Sequence, residues 1–225
     1  LVHSQIAVAS TPAIDWSLVA ADCGAAVMLI SQDLHLLTVN PVAAQVYAKR
    51  PAKDASTSRL SDIFPGLAAQ ERTELVRTVL ATGEPVIFRD LWSGVALRAT
   101  LRRVDGPSGA PAVLWLACAE DALHVEAGTG PHVRVQEAKH VDLGPLTGLT
   151  MSELKVLALI GEGLSNAEIA ARLHRAVKTV ESHRAALTDK TGSSSRVQLG
   201  IMARRAGLAR RLVLDVPGGD VRVLT

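Results

Sequence analysis

The stretch LSNAEIAARLHRAVKTVESHRAALTDKTG, residues 164–192, holds two helical patterns around a short break. In the first, Ser165 stands three residues before Glu168. At that spacing a hydroxyl and a carboxylate cap each other's backbone amides. Ile169, Ala170 and Leu173 form its apolar stripe. The break is HRAV, residues 174–177. The second pattern has only Val180 and Leu187 to bury, with Val177 just before it, and Gly192 ends it. Its remaining positions include Lys178, Thr179, Glu181, Ser182, His183, Arg184, Ala185 and Lys190. A polar helix by itself is most often a solvated face, so its surroundings decide what this one meets.

Those surroundings are helical. LTMSELKVLALIGEG, residues 149–163, repeats the capping device with Thr150 and Glu153. Leu154, Leu157, Ala158 and Ile160 form its stripe. SSRVQLGIMARRAGL, residues 194–208, reads as a further helix with Val197, Leu199, Ile201 and Met202 apolar. The two central helices and their tight turn make a helix-turn-helix unit, where small Ala170 and Ala171 let the axes approach. A helix with few buried residues and many polar ones fits a DNA major groove, about 12 Å wide. Lys178, Thr179, Arg184 and Lys190 would then face phosphates, and Glu181, Ser182 and Ala185 the base edges. Two local alternatives stand beside this. Glu181 has Lys178 and Arg184 at i, i+3 for an ion pair on its own helix. His183 is either a packing and capping residue or a phosphate ligand.

Charge supports a polyanion for this part only. The formal net charge is +2. Residues 146–211 hold eleven basic and five acidic residues, +6, while residues 1–145 come to −3 and residues 212–225 to −1.

Residues 149–208 resemble the LuxR-type (LuxR/FixJ) four-helix DNA-binding domain. The resemblance lies in LT-x-x-E, SNAEIAARL, KTVESHR, Lys190, Gly192 and the pair Ser195–Arg196. It implies sequence-specific duplex binding and a dimer contact through the fourth helix. By position it implies backbone contacts for Lys178, Thr179, His183 and Lys190, and base reading for Glu181, Ser182 and Ala185. Two residues depart from the pattern. Ala176 stands where Ser or Thr is frequent, which removes an N-cap or phosphate contact. Thr191 stands where Leu is usual, which alters packing at the end of the third helix.

The N-terminal part mixes helix and strand. IDWSLVAAD is a lead-in helix, and AVMLI and HLLTV are two paired strands. Asn40 as N-cap and Pro41 at the first helical position start a helix in NPVAAQVYAKR. Leu67, Glu71, Leu75, Val79 and Leu80 recur near the helical period in a longer helix that Gly83 stops. PVIFRDLW, VALRATLRRV and APAVLWLACA are three closing strands. In the middle one Val95, Leu97, Ala99 and Leu101 alternate with Ala96, Arg98, Thr100 and Arg102, one face buried and one wet. The last is apolar on both faces, as a central strand would be. One antiparallel sheet with helices on one side follows, and the element order resembles a PAS domain over residues 14–120.

The expected fold class is α+β: a PAS-like antiparallel sheet with helices at 14–120, a linker at 121–145, and an all-α helix-turn-helix domain at 146–208. HVRVQEA within the linker has strand character, but its Gly and Pro surroundings favour a linker. The tail 209–225 alternates around PGGD as a β-hairpin would, and a lone hairpin needs a partner, either residues 132–136 or a second tail.

Other functions find less support. No apolar run reaches the ~18–20 residues of a membrane span. Cys23 and Cys118 lack a C-x-x-C or a His/Cys cluster and read as buried thiols. His35 reads as an exposed turn residue rather than a haem ligand. Tyr47, Met28, Trp92, Trp115 and Cys118 either line a small apolar pocket or pack the core, and packing is favoured. The sequence leaves the cofactor open, and no G-x-S-x-G or Gly-rich phosphate loop is present. The expected protein is a cytoplasmic, dimeric regulator of transcription that binds double-stranded DNA, not an enzyme, with a small-molecule or protein signal at the PAS-like domain. The competing class is an interaction or ligand-binding module whose helical domain binds protein.

Overall fold

A computed structural model describes residues 16–49, 51–120 and 133–211. Helix α1 (Trp16–Asp22) leads into strands β1 (Ala26–Ser31) and β2 (Leu36–Val39). Short helix α2 (Pro41–Ala43) then widens into a π-helical turn, Ala44–Ala48. Asn40 caps α2 by accepting from Ala43 N at 2.8 Å, with Pro41 in the first turn. The buried Asn40 amide also bonds Val27 N and Ala25 O, so one side chain ties the helix to β1. Helix α3 (Ala52–Ala55) and a 3₁₀ turn, Leu60–Asp62, precede the long helix α4 (Gly66–Thr82). Gly83 ends α4 at φ 74°, a conformation that costs glycine least.

Strands β3 (Val86–Trp92), β4 (Val95–Asp105) and β5 (Pro111–Ala119) complete the expected sheet. The strand order is β2-β1-β5-β4-β3-β6, and β5 lies inside the sheet as its apolar sequence requires. The sixth strand corrects the linker reading. β6 (Arg134–Glu137) pairs with β3, Val86 to Arg89 against Arg134 to Glu137. That pairing is parallel, so the sheet is mixed rather than purely antiparallel. β6 thereby covers the edge of β3, which would otherwise present unpaired amides. It also takes up residues 134–136 of the segment considered as a partner for the tail.

The core lies between the sheet and the helices α2 to α4. Met28, Tyr47, Phe64, Phe88, Trp92 and Trp115 are its large side chains. Two expectations change here. The buried stripe of α4 is Ala68, Ala69, Arg72, Leu75, Val76 and Val79, whereas Leu67 is 58% exposed. The thiols are not buried: Cys23 is exposed and Cys118 half-buried.

The C-terminal domain is all helix: α5 (Met151–Gly161), α6 (Asn166–Arg172), α7 (Val177–Thr191), α8 (Arg196–Arg205) and α9 (Leu208–Arg211). Its core joins Leu157, Leu159, Ile169, Val180, Leu187 and Leu199, and Leu91 of β3 belongs to the same cluster. The expected hairpin at 209–225 falls mostly outside the described residues, and its first residues, 209–211, are helical. Among the described residues no helix is long and apolar enough to cross a membrane.

Candidate nucleic-acid interface

Helix α7 is held from behind and open in front. Val180 and Leu187 are buried at 1% and 0%. Lys178, Thr179, Glu181, Ser182, Arg184, Ala185 and Lys190 are all exposed, and His183 is half-buried at the boundary. Two of seven-residue spacing inward and the rest outward is what a helix leaves when it packs through one narrow stripe.

The scaffold behind it is set by caps. Thr150 Oγ1 accepts from Glu153 N at 3.3 Å, while Glu153 Oε2 accepts from Thr150 N at 2.7 Å. Ser165 and Glu168 do the same at 3.3 and 2.7 Å. Both predicted capping boxes form. The break between α6 and α7 is Leu173 to Ala176, one residue earlier than the sequence suggested. His174 takes φ 51° there, and Arg175 N bonds Ala170 O at 2.9 Å to close the turn. Ala170 is buried at the helix contact, but Ala171 is exposed and takes no part in it. Ala176 is the N-cap of α7 and supplies no side-chain hydrogen bond.

Several structural roles were not visible from the sequence. The Lys190 ammonium reaches back to Glu153 Oε2 at 2.8 Å and Gly148 O at 3.3 Å. These account for two of its three donors. The Glu153 carboxyl is held down at about 2, first by the Lys190 ammonium and then by the Thr150 amide. Ser165 likewise lowers Glu168. At the far end of α7, Thr191 Oγ1 donates to Leu187 O at 2.7 Å and pairs with Ser193 Oγ at 2.9 Å. A hydrogen-bonded corner thus replaces the apolar packing that Leu would give. Arg196 spans from α8 to Asn166 Oδ1 at 3.1 Å and to Leu164 O, fixing α6. Among the described residues Glu181 forms no ion pair, so the local pairing with Lys178 or Arg184 is not made.

In the N-terminal domain, Met28, Tyr47, Trp92 and Trp115 are core residues, while Cys118 is half-buried beside Arg98 on β4. His35 sits in a β-bridge to Arg59, with Nδ1 3.4 Å from Thr57 O. No group of three or more metal-ligating side chains occurs among the described residues.

Residues 147–203 match the family described as bacterial regulatory proteins, luxR family, and residues 22–123 match the PAS fold. The chain therefore carries a luxR-family domain behind a PAS-fold domain. The curated relatives align with short stretches of this chain. The chain is 42% identical over 76 residues to the DNA-binding transcriptional activator DevR/DosR of Mycobacterium tuberculosis, covering 34% of this chain and 32% of that protein. It is 39% identical over 61 residues to the transcriptional regulatory protein LiaR of Bacillus subtilis, covering 27% of this chain and 29% of that one. The chain thus spans about a third or less of these relatives' length. Among solved structures, the Vibrio cholerae VqmA–ligand–DNA complex is 19% identical, covers 94% of this chain and 98% of its own, and has a TM-score of 0.45. The VqmA dimer without target DNA is 21% identical, with 87% and 89% coverage and a TM-score of 0.41.

Proposed function

We propose that this protein is a sequence-specific DNA-binding regulator of transcription, acting in the cytoplasm as a homodimer, whose PAS-fold domain receives a signal. The observation that carries this is α7: seven exposed polar or small residues on a helix whose only buried anchors are Val180 and Leu187. Such a helix enters a major groove with its N-terminal half against the bases. Lys178, Thr179 and Arg184 lie where phosphates would pass. Lys190 has one donor left for a phosphate, and half-buried His183 sits at the same rim. Glu181, Ser182 and Ala185 take the base edges, where Glu181 accepts from a cytosine amino group. Val197 at 70% exposure and Ile201 at 40% give α8 an apolar surface for a second subunit. A two-fold dimer on a roughly palindromic site follows. No catalytic role is assigned.

The test is duplex binding against salt. Affinity should fall steeply as salt rises, and Lys178→Ala should flatten the log–log slope by about 0.9 for every sequence alike. Glu181→Ala should leave that slope unchanged and shift base preference at one position per half-site by roughly 1–3 kcal/mol. Salt-independent binding, or an identical selected motif for both proteins, overturns the placement of α7.

A further inference from the structure

The chain has two cysteines, and they stand at the two ends of the PAS-fold domain. Cys23 lies just before β1 and Cys118 near the end of β5. The sheet brings those ends together. β1 and β5 are antiparallel neighbours, with Ala26 opposite Ala117. One step further along this ladder Ala25 comes beside Cys118, since antiparallel partners lie about 5 Å apart. Cys23 is two residues before Ala25.

Cys23 is held beside the ladder. Gly24 N bonds Ala21 O at 2.9 Å and Ala25 N bonds Ala20 O at 2.8 Å. This pair of bonds closes a helix through a left-handed glycine, and Gly24 has φ 71°. From the other side Asn40 Nδ2 donates to Ala25 O at 2.8 Å. The end of α1 is thus tied to the start of β1.

The two thiols differ in a way that suits thiol–disulfide exchange. Cys23 is exposed. Trp115 and Ala117 fill the core, so Cys118 points to the opposite face of the sheet, half-buried beside Arg98. Burial pushes the Cys118 thiol up, Arg98 opposes that, and a charge on Cys23 pushes it up further. The last effect acts through space, so each sulfur lies within range of the other's charge.

We propose that Cys23 and Cys118 form a reversible disulfide by exchange with a low-molecular-weight disulfide of the glutathione type. The exposed Cys23 thiolate attacks one sulfur of glutathione disulfide, whose S–S bond breaks and releases one glutathione thiolate. Cys118 gives its proton to solvent, and its sulfur attacks the Cys23 sulfur of the mixed disulfide. The second glutathione thiolate leaves. Two protein thiols are oxidised to one disulfide, while one glutathione disulfide is reduced to two thiols. The bond closes residues 23–118 into a loop that holds most of the PAS-fold domain. It anchors the helix that enters the domain to the strand that leaves it. An excess of reduced thiols runs the same exchange backwards.

The experiment is equilibration of the full chain with mixtures of reduced and oxidised glutathione, quenched with acid. Intact mass and maps of non-reduced peptides give the products. The expected product has lost two hydrogens, joins the peptides that hold Cys23 and Cys118, and retains no glutathione. A disulfide needs its Cα atoms within about 7 Å, so a native chain that presents the pair at that span favours the bond. Its formation constant should therefore be at least ~30-fold larger in the native chain than in urea-unfolded chain. The oxidised chain should melt at a higher temperature than the reduced one, and dithiothreitol should erase the difference. Cys118→Ser should trap the mixed disulfide on Cys23. In Cys23→Ser, Cys118 should react with glutathione disulfide at least ~10-fold more slowly than Cys23 does in the intact chain. An equal or smaller constant in the native chain, glutathione retained on both cysteines, or a disulfide formed only between two chains overturns the proposal without any mutant. None of these readings involves DNA, so they stand or fall apart from the function proposed above.

Discussion

In the PAS-fold domain, Arg72 meets Asp90 at 2.6 Å with both side chains shut off from solvent. In the C-terminal domain, Lys190 meets Glu153 at 2.8 Å, but 40% of the lysine side chain is exposed. The first pair has given up its water entirely. Its guanidinium lies 4.8 Å from the centre of the Phe64 ring and 4.9 Å from that of Trp92, and it also bonds Ala68 O and His140 O. Taking two charges out of water is expensive, and only mutual attraction with further hydrogen bonds offsets it. The second pair keeps its water on one side and costs little to form. A buried pair of the first kind adds little net stability, but it tolerates no loss of either member.

That difference predicts the largest effect. Arg72→Ala should destabilise the protein by about 3–5 kcal/mol, because Asp90 keeps its charge in the core without its guanidinium. The double change Arg72→Met with Asp90→Leu should recover most of that loss in urea unfolding. Equal destabilisation by the single and double changes would show that the cost is one of packing, not of the lost guanidinium.

The same contrast explains what the sequence disclosed. Thr150–Glu153, Ser165–Glu168 and Asn40–Pro41 were legible because each is decided within three residues by backbone geometry. Strands β1 to β5 were legible from alternation and short apolar runs. Arg72 was not, because its partner Asp90 is on another element and an arginine in a stripe reads as its polar edge. The signal was nonetheless present: Ala68, Ala69, Leu75, Val76 and Val79 flank it at helical spacing, and a stripe centred on 72 fits them better than one through Leu67. β6 was missed for a related reason. Gly and Pro near residues 128–131 suggest a linker, and only the open edge of β3 supplies the ladder that makes 134–137 a strand. On α7 the outward face was read correctly, but the engagement of Lys190 with Glu153, 37 residues away, was not.

Packing within the C-terminal domain offers a smaller effect, and one without charge. Gly161 lies where α5 meets α8, and a Cβ there would stand 2.7 Å from Ala203 Cβ. Gly161→Ala should therefore cost about 1–3 kcal/mol through overpacking. Adding Ala203→Gly should relieve the clash, which thermal melts of the single and double variants would show. A melt unchanged by Gly161→Ala would mean that the two helices separate easily, and that the platform behind α7 is softer than its contacts suggest.

The smallest effect separates the two ion pairs by pH. The Glu153 carboxyl is held at about 2 against an ordinary value of 4.5, chiefly by Lys190 and the Thr150 amide. A depressed carboxyl contributes its stabilisation in full above the ordinary value and loses it as pH falls through the folded one. Glu153→Gln removes the charge but keeps an oxygen for the cap, so at neutral pH it should cost roughly 1 kcal/mol. As pH drops from 4.5 towards 2, wild type should lose this increment while the variant has none to lose. The gap in melting midpoint between the two proteins should therefore narrow across that window and close near its lower end. Lys190→Ala should narrow it in the same way, since the ammonium is the main cause of the shift. Comparing variants at each pH cancels the other carboxyls, which titrate alike in both. A gap constant from neutral pH down to about 2 would mean that Glu153 acts through the shape of the cap alone, leaving the Lys190 ammonium free for a phosphate.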